Sequence, residues 1–173
     1  MDDEAGFALI ERAMLLDEDA TISGCEVLRD YCRRHGREEQ ANAWNRRLAE
    51  SAENKRIADK ERNELLLEDQ FKPHGMTAVE VAQLRTELKS VPGLRKAYFV
   101  QKRLQTLGPP LYVLGYTVGA RFGLFTSKRK AAIVMMRVKE AVSFPGETIL
   151  VNIERGNARF ERKFMGVDDS RIV

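Results

Sequence analysis

The sequence predicts an α+β protein, in which an N-terminal antiparallel helical segment precedes an α-β-β-α-β-β domain with a four-stranded, mainly antiparallel sheet. Three observations carry this expectation. Apolar residues recur at steps of three and four through residues 1–50. Within residues 94–118, two runs rich in Tyr, Phe, Val and Leu flank Leu107-Gly108-Pro109-Pro110, a break that neither a helix nor a central strand absorbs. Charge also divides the chain: residues 1–50 carry 7 basic and 12 acidic side chains, residues 51–72 carry 5 and 6, and residues 73–173 carry 17 and 8. The chain is therefore read as helices over 1–50, a charged helical linker over 51–72 and the α-β-β-α-β-β domain over 73–173.

The first helix spans residues 4–16, with Phe7, Ile10, Ala13 and Met14 on its apolar side. Ser23 is placed to cap a second helix that carries Cys25, Leu28, Tyr31 and Cys32 and closes at Gly36. A third holds Ala41, Trp44 and Leu48 and can run on through residues 50–69, which are dense in charge and free of Gly and Pro. Pro73-His74-Gly75 marks the boundary. Thr77-Ala78-Val79-Glu80 is a capping box opening a helix to about Ser90, with Val81, Leu84 and Leu88 inward. The hairpin of residues 94–118 follows, with a connection of four or five residues. A loop spaced by Gly119 and Gly123 leads to a helix over 128–142 capped by Thr126 or Ser127. A strand at 148–154 and a last strand at 158–164 are joined by the turn Arg155-Gly156-Asn157. Both long helices of this domain are expected on one face of the sheet, and the two α-β-β halves suggest a duplication.

Composition narrows the chemistry. Hydrophobic content of 43% with 32% charged residues belongs to an ordinary folded domain. The longest apolar run, residues 131–136, falls far short of the roughly 18 residues of a membrane span. No basic start leads into an apolar core and a small-residue cleavage site, so a soluble protein of a reducing, cytoplasmic compartment is expected. Cys25 and Cys32 lie seven apart on one helix, too far to bridge, and read as buried free thiols. The two histidines, His35 and His74, have no second ligand or orienting partner in sequence, and HExxH, CxxC, GxSxG and GK[ST] are absent. No catalytic residue, metal site or cofactor is expected in this chain.

Two binding surfaces remain. Gly24, Cys25, Leu28, Trp44 and Arg47 would line or support a groove between the N-terminal helices and receive a protein partner or a second copy. The alternative is a nucleic-acid face: Arg95, Lys96, Tyr98, Lys102 and Arg103 interleave cations with an aromatic on one strand, with Arg159, Arg162 and Lys163 on a neighbour. Lys128-Arg129-Lys130 reads most simply as a solvated first helical turn, with a dock for anionic lipid as the other reading.

Two resemblances add to this. Gly36 to Ala41, the Leu28 and Cys32 pair, and the acidic end of the first helix resemble a tetratricopeptide repeat; residues 3–50 would then be the second helix of one repeat plus a complete second one. Arrays of this kind need about three repeats, which implies a cut from a longer protein. The layout as a whole resembles the C-terminal tail of bacterial membrane zinc metallopeptidases of the HtpX and CAAX-prenyl-protease family. The residues that carry it are Gly6-Phe7-Ala8-Leu9-Ile10-Glu11-Arg12-Ala13, Gly24-Cys25-Glu26, Arg34-His35-Gly36-Arg37-Glu38-Glu39, Pro92-Gly93-Leu94-Arg95-Lys96-Ala97-Tyr98, Pro110-Leu111-Tyr112-Val113-Leu114-Gly115 and Phe144-Pro145-Gly146-Glu147-Thr148. The family's HExxH helix and membrane spans are missing, so no catalytic role transfers to any residue. The resemblance implies a non-catalytic accessory region, with a membrane-embedded protease portion in a parent protein.

Overall fold

A computed structural model describes residues 3–17, 19–119 and 128–173. The chain divides into two compact units, Met1–Glu61 and Arg62–Val173. Residues 62–72 of the charged stretch thus belong to the second unit.

The first unit is built from α1 (Asp3–Leu16), α2 (Ala20–Arg34) and the greater part of α3 (Glu38–Asn63). Its core is small: Met14, Cys25 and Leu28 are buried, with Phe7, Ile10, Trp44 and Leu48 packed around them. Ser23 lies inside α2 rather than capping it. The helix begins three residues earlier, at Ala20, after Asp19, whose side chain makes no cap bond. Its other end is a Schellman turn. Gly36 takes a positive φ of 67°, and the amides of Gly36 and Arg37 donate to the carbonyls of Arg33 and Cys32 at 3.2 and 2.9 Å. Gly24 permits the close approach of α1 to α2: a Cβ there would lie 2.5 Å from Met14 Sδ and 3.2 Å from Ile10 Cγ2.

In the second unit, the described residues form a four-stranded sheet in the order β1-β2-β3-β4, from β1 (Phe71–Lys72), β2 (Leu94–Lys102), β3 (Leu111–Val118) and β4 (Thr148–Asn152). The expected hairpin is present, β2 pairing antiparallel with β3 from Lys102↔Leu111 outward. Its connection, residues 103–110, is longer than expected. Arg62 ties that loop down by donating to the Pro109 carbonyl at 3.1 Å and pairing with Glu147. The helix of the capping box is α4 (Ala78–Ser90): the Thr77 amide donates to Glu80 Oε2 at 2.7 Å, and Thr77 Oγ1 accepts from the Glu80 amide at 3.4 Å. α5 (Lys128–Ala141) follows β3; Gly123 and the expected caps Thr126 and Ser127 lie outside the described residues.

The sheet is mainly antiparallel, as expected, with one parallel pair: β4 runs parallel to β3, because α5 intervenes as a crossover and returns the chain to the end of the sheet where β3 began. Two expectations are corrected. β1 is an unforeseen fourth strand, pairing Phe71 with Lys102. The last expected strand is a helix, α6 (Ala158–Met165), entered through a 3₁₀ turn at Arg155–Asn157. A strand over 158–164 would put Arg162 on the same face as Phe160 and Phe164. A helix joins the two phenylalanines at i, i+4 and turns Arg162 away to solvent. The unit therefore reads β-α-β-β-α-β-α, without the duplication.

Both faces of the sheet are covered. α4 and α5 lie on one, where Leu84, Leu88, Val134 and Val138 meet Ala97, Phe99, Leu114 and Tyr116. α6 lies on the other, Phe160 and Phe164 meeting Tyr98, Val100, Val113 and Ile153. Consecutive buried residues along β2 follow from this double cover. Residues 170–173 complete the border of β2 beside β1: the Phe99 amide donates to the Ser170 carbonyl at 2.7 Å, and the Ile172 amide to the Ala97 carbonyl at 2.9 Å.

Candidate protein-interaction groove

α1 is apolar on nearly every side. Phe7, Ile10 and Met14 face α2 and α3, while Leu9, Leu15 and Leu16 stand 68%, 81% and 79% exposed. A helix of this composition is ordinarily buried all round. Beside it an open groove of about 480 Å³ is lined by Phe7, Ala8 and Glu11 of α1, by Arg37 just before α3, and by Gln40, Ala43 and Trp44 in its first turns. Steps of three and four bring each wall's residues onto one helical face. Charges of both signs, Glu11 and Arg37, border the aromatic floor.

The expected interaction residues divide by depth. Gly24, Cys25 and Leu28 are buried in the core and shape the groove from beneath. Trp44 is half-buried and lines the groove, with the Arg47 guanidinium 5.4 Å above its ring. Burial pushes the Cys25 thiol above the ordinary range, and the Arg47 charge partly opposes it. Phe7, Ala8, Glu11, Arg37, Gln40 and Ala43 were not expected as lining of the groove. For Phe7 and Ala8 the signal was that α1 carries apolar residues on more than one side. The Phe7 ring also meets Tyr31 edge-on at 5.0 Å, and Tyr31 stacks on His35 at 4.2 Å.

The basic-aromatic strand takes a different form. Tyr98 is 2% exposed under α6, and its hydroxyl donates to Glu161 Oε1 at 3.2 Å. Burial raises this phenol above the ordinary tyrosine range, and the Glu161 charge adds to the effect. Lys96 Nζ pairs with the same carboxylate oxygen at 3.0 Å. Lys102 is 2% exposed, its ammonium 2.9 Å from Asp69 Oδ2 and 2.8 Å from the Glu64 carbonyl it donates to. Arg95 and Arg103 are exposed. Arg159, Arg162 and Lys163 lie on α6 rather than on a neighbouring strand, and Lys163 donates to the Asp69 carbonyl at 2.8 Å. β2 thus offers no exposed aromatic ring, and its inner cations are matched by acids.

His74 is buried. Its Nδ1 accepts from the Met76 amide at 3.0 Å and its Nε2 lies 3.3 Å from the Asp169 carbonyl, so the ring fastens residues 74–76 to the segment before the C-terminal pairing. Among the described residues, no three His, Cys, Asp or Glu side chains gather as a metal ion would require, and no helix is long and apolar enough to cross a membrane. Compared with protein-family models, curated proteins and solved structures, the chain matches none.

Proposed function

We propose that this chain is a non-catalytic accessory region that binds a protein partner through the α1–α3 groove of its helical unit. The observation that supports the reading is that Phe7 and Trp44 both line an open groove, beside a helix whose leucines are exposed. Aromatic anchors in a concave site, rimmed by charge, suit an apolar-faced protein segment. The resemblance to a membrane metallopeptidase tail adds the protease portion of a parent protein as the partner of first choice. The nucleic-acid alternative has less support, because Tyr98 and Phe99 are both covered.

Photo-crosslinking tests this reading. A benzophenone amino acid at Ala43 or Ala8 in the groove is expected to capture one discrete protein in cells of the source organism, whereas the same group at Glu53 on the solvated part of α3 is not. Trp44→Ala should weaken the adduct without unfolding the helices. Adducts equal at all three positions, or adducts mainly with RNA, would count against the groove. A reading frame joining this chain to an HExxH helix and to apolar spans of about 20 residues is the expected context. A frame with neither removes the protease parent and leaves the groove to be judged by the crosslink.

A further inference from the structure

The outward face of α5 belongs to none of the sites above. Val134 and Val138 press this helix onto the sheet, with Ala131 and Met135 beside them. The opposite side presents Arg129, Ile133, Met136 and the acidic Glu140, flanked by Lys128, Lys139 and Arg137, which donates to the Pro92 carbonyl at 3.2 Å; all are exposed, Ile133 at 41% and Met136 at 58%. Five of the helix's 14 residues are basic and one, Glu140, is acidic. Among the described residues, Lys128, Arg129 and Lys139 enter no ion pair. Acids on the adjacent helix α4 are already engaged: Glu80 closes the capping box, and Glu87 accepts from the Ser143 amide at 2.9 Å and from Gln83 at 2.9 Å. The field of this face is therefore positive, with two apolar side chains near its middle.

We propose that the outward face of α5 lies flat on an anionic lipid surface. Cations at both ends of the helix would meet lipid phosphates, while Ile133 and Met136 enter the boundary beneath the headgroups. The two apolar residues decide between lipid and nucleic acid. A polyphosphate gains nothing from them, and the face carries no aromatic ring on which a base could stack. Charge complementarity names the partner, and the exposed Ile–Met pair names the mode of contact.

The test is co-sedimentation of the full chain with vesicles. Phosphatidylcholine alone should leave it in solution, whereas phosphatidylcholine mixed with phosphatidylglycerol should carry it down, less so as salt rises. Reversal of three cations (Lys128→Glu, Arg129→Glu, Lys139→Glu) is expected to lower partitioning about a hundredfold, from about fivefold for each surface cation removed. Ile133→Ser with Met136→Ser should lower it severalfold at unchanged charge. All five positions are exposed, so circular dichroism is expected to show unaltered folding. Equal binding to neutral vesicles, or none to anionic ones, overturns the proposal. So does an Ile133→Ser/Met136→Ser variant that binds as before while duplex RNA displaces the vesicles.

Discussion

Gly115→Ala probes the packing of α6 on the sheet at a single atom. Gly115 sits in the middle of β3, opposite Tyr98, and a Cβ built there would lie 2.5 and 2.7 Å from Phe164 Cε2 and Cδ2 and 3.0 Å from Ile153 Cγ2. Phe164 is fully buried and has little room to retreat, held edge-on by Phe71 at 5.0 Å and alongside Phe160 at 6.0 Å. Overpacking of this kind costs about 1–3 kcal/mol. The backbone entropy gained when alanine replaces a strand glycine returns about 0.5–1 kcal/mol. A net loss of about 1–2 kcal/mol is expected, or roughly 4–10 °C in the melting of the α/β unit. Urea and thermal unfolding followed by far-UV circular dichroism would measure it. Phe164→Leu vacates the volume that the new methyl needs, so the double variant should be more stable than the sum of its parts by on the order of 1 kcal/mol. A neutral or stabilised Gly115→Ala, or strict additivity with Phe164→Leu, would refute the close contact of α6 with β3.

Other outcomes follow from the buried charges and thiols. Lys102→Ala leaves the Asp69 carboxylate without its cation in a largely buried site, and should cost about 3–5 kcal/mol in urea unfolding; Lys102→Met, which keeps the stem, should cost less. Ellman's reagent should titrate neither Cys25 nor Cys32 quickly in the native chain and both in denaturant, since both are buried and burial raises the Cys25 thiol. The Thr77 amide, and then its hydroxyl, hold the Glu80 carboxyl below the ordinary range. A carboxyl lowered by folding stabilises fully above its unfolded value and loses that contribution as pH falls through the folded one. Glu80→Gln should therefore flatten the acid limb of the stability curve and leave the neutral region's slope unchanged. Tyr98 and Tyr116 are raised mainly by burial, so their ionisation in an ultraviolet pH titration should come above the ordinary tyrosine range. Their contribution to stability is whole below the unfolded value and is lost as pH climbs through the raised one.

What the sequence disclosed was what short-range rules encode. The Thr77–Glu80 box, the Gly36 stop and the hairpin around Gly108-Pro109-Pro110 each announce themselves within a few residues. The sense in which β4 runs beside β3 is decided by the path through α5, and nothing in Thr148–Asn152 states it. β1 is two residues long and holds its place by pairing with β2, so no periodicity could reveal it. Phe160 and Phe164 are four apart, a spacing that fits a strand as well as a helix; only the position of Arg162 between them separates the two. The groove was half legible. Trp44 stood out as a lone tryptophan, whereas its facing wall on α1 looked like ordinary core, yet Leu9, Leu15 and Leu16 of that helix stand exposed. The cations of β2 showed the reverse error: acids distant in sequence, Asp69 and Glu161, neutralise Lys102 and Lys96.

The border of β2 is sealed by two pieces made far apart in time. Phe71 and Lys72 leave the ribosome before β2 exists, but Ser170 to Val173 follow it by some seventy residues. Until they emerge, the amides of Ala97 and Phe99 stay open in a nascent chain that already contains the hairpin. A chaperone, or a stray strand from another polypeptide, would find its opening in that interval.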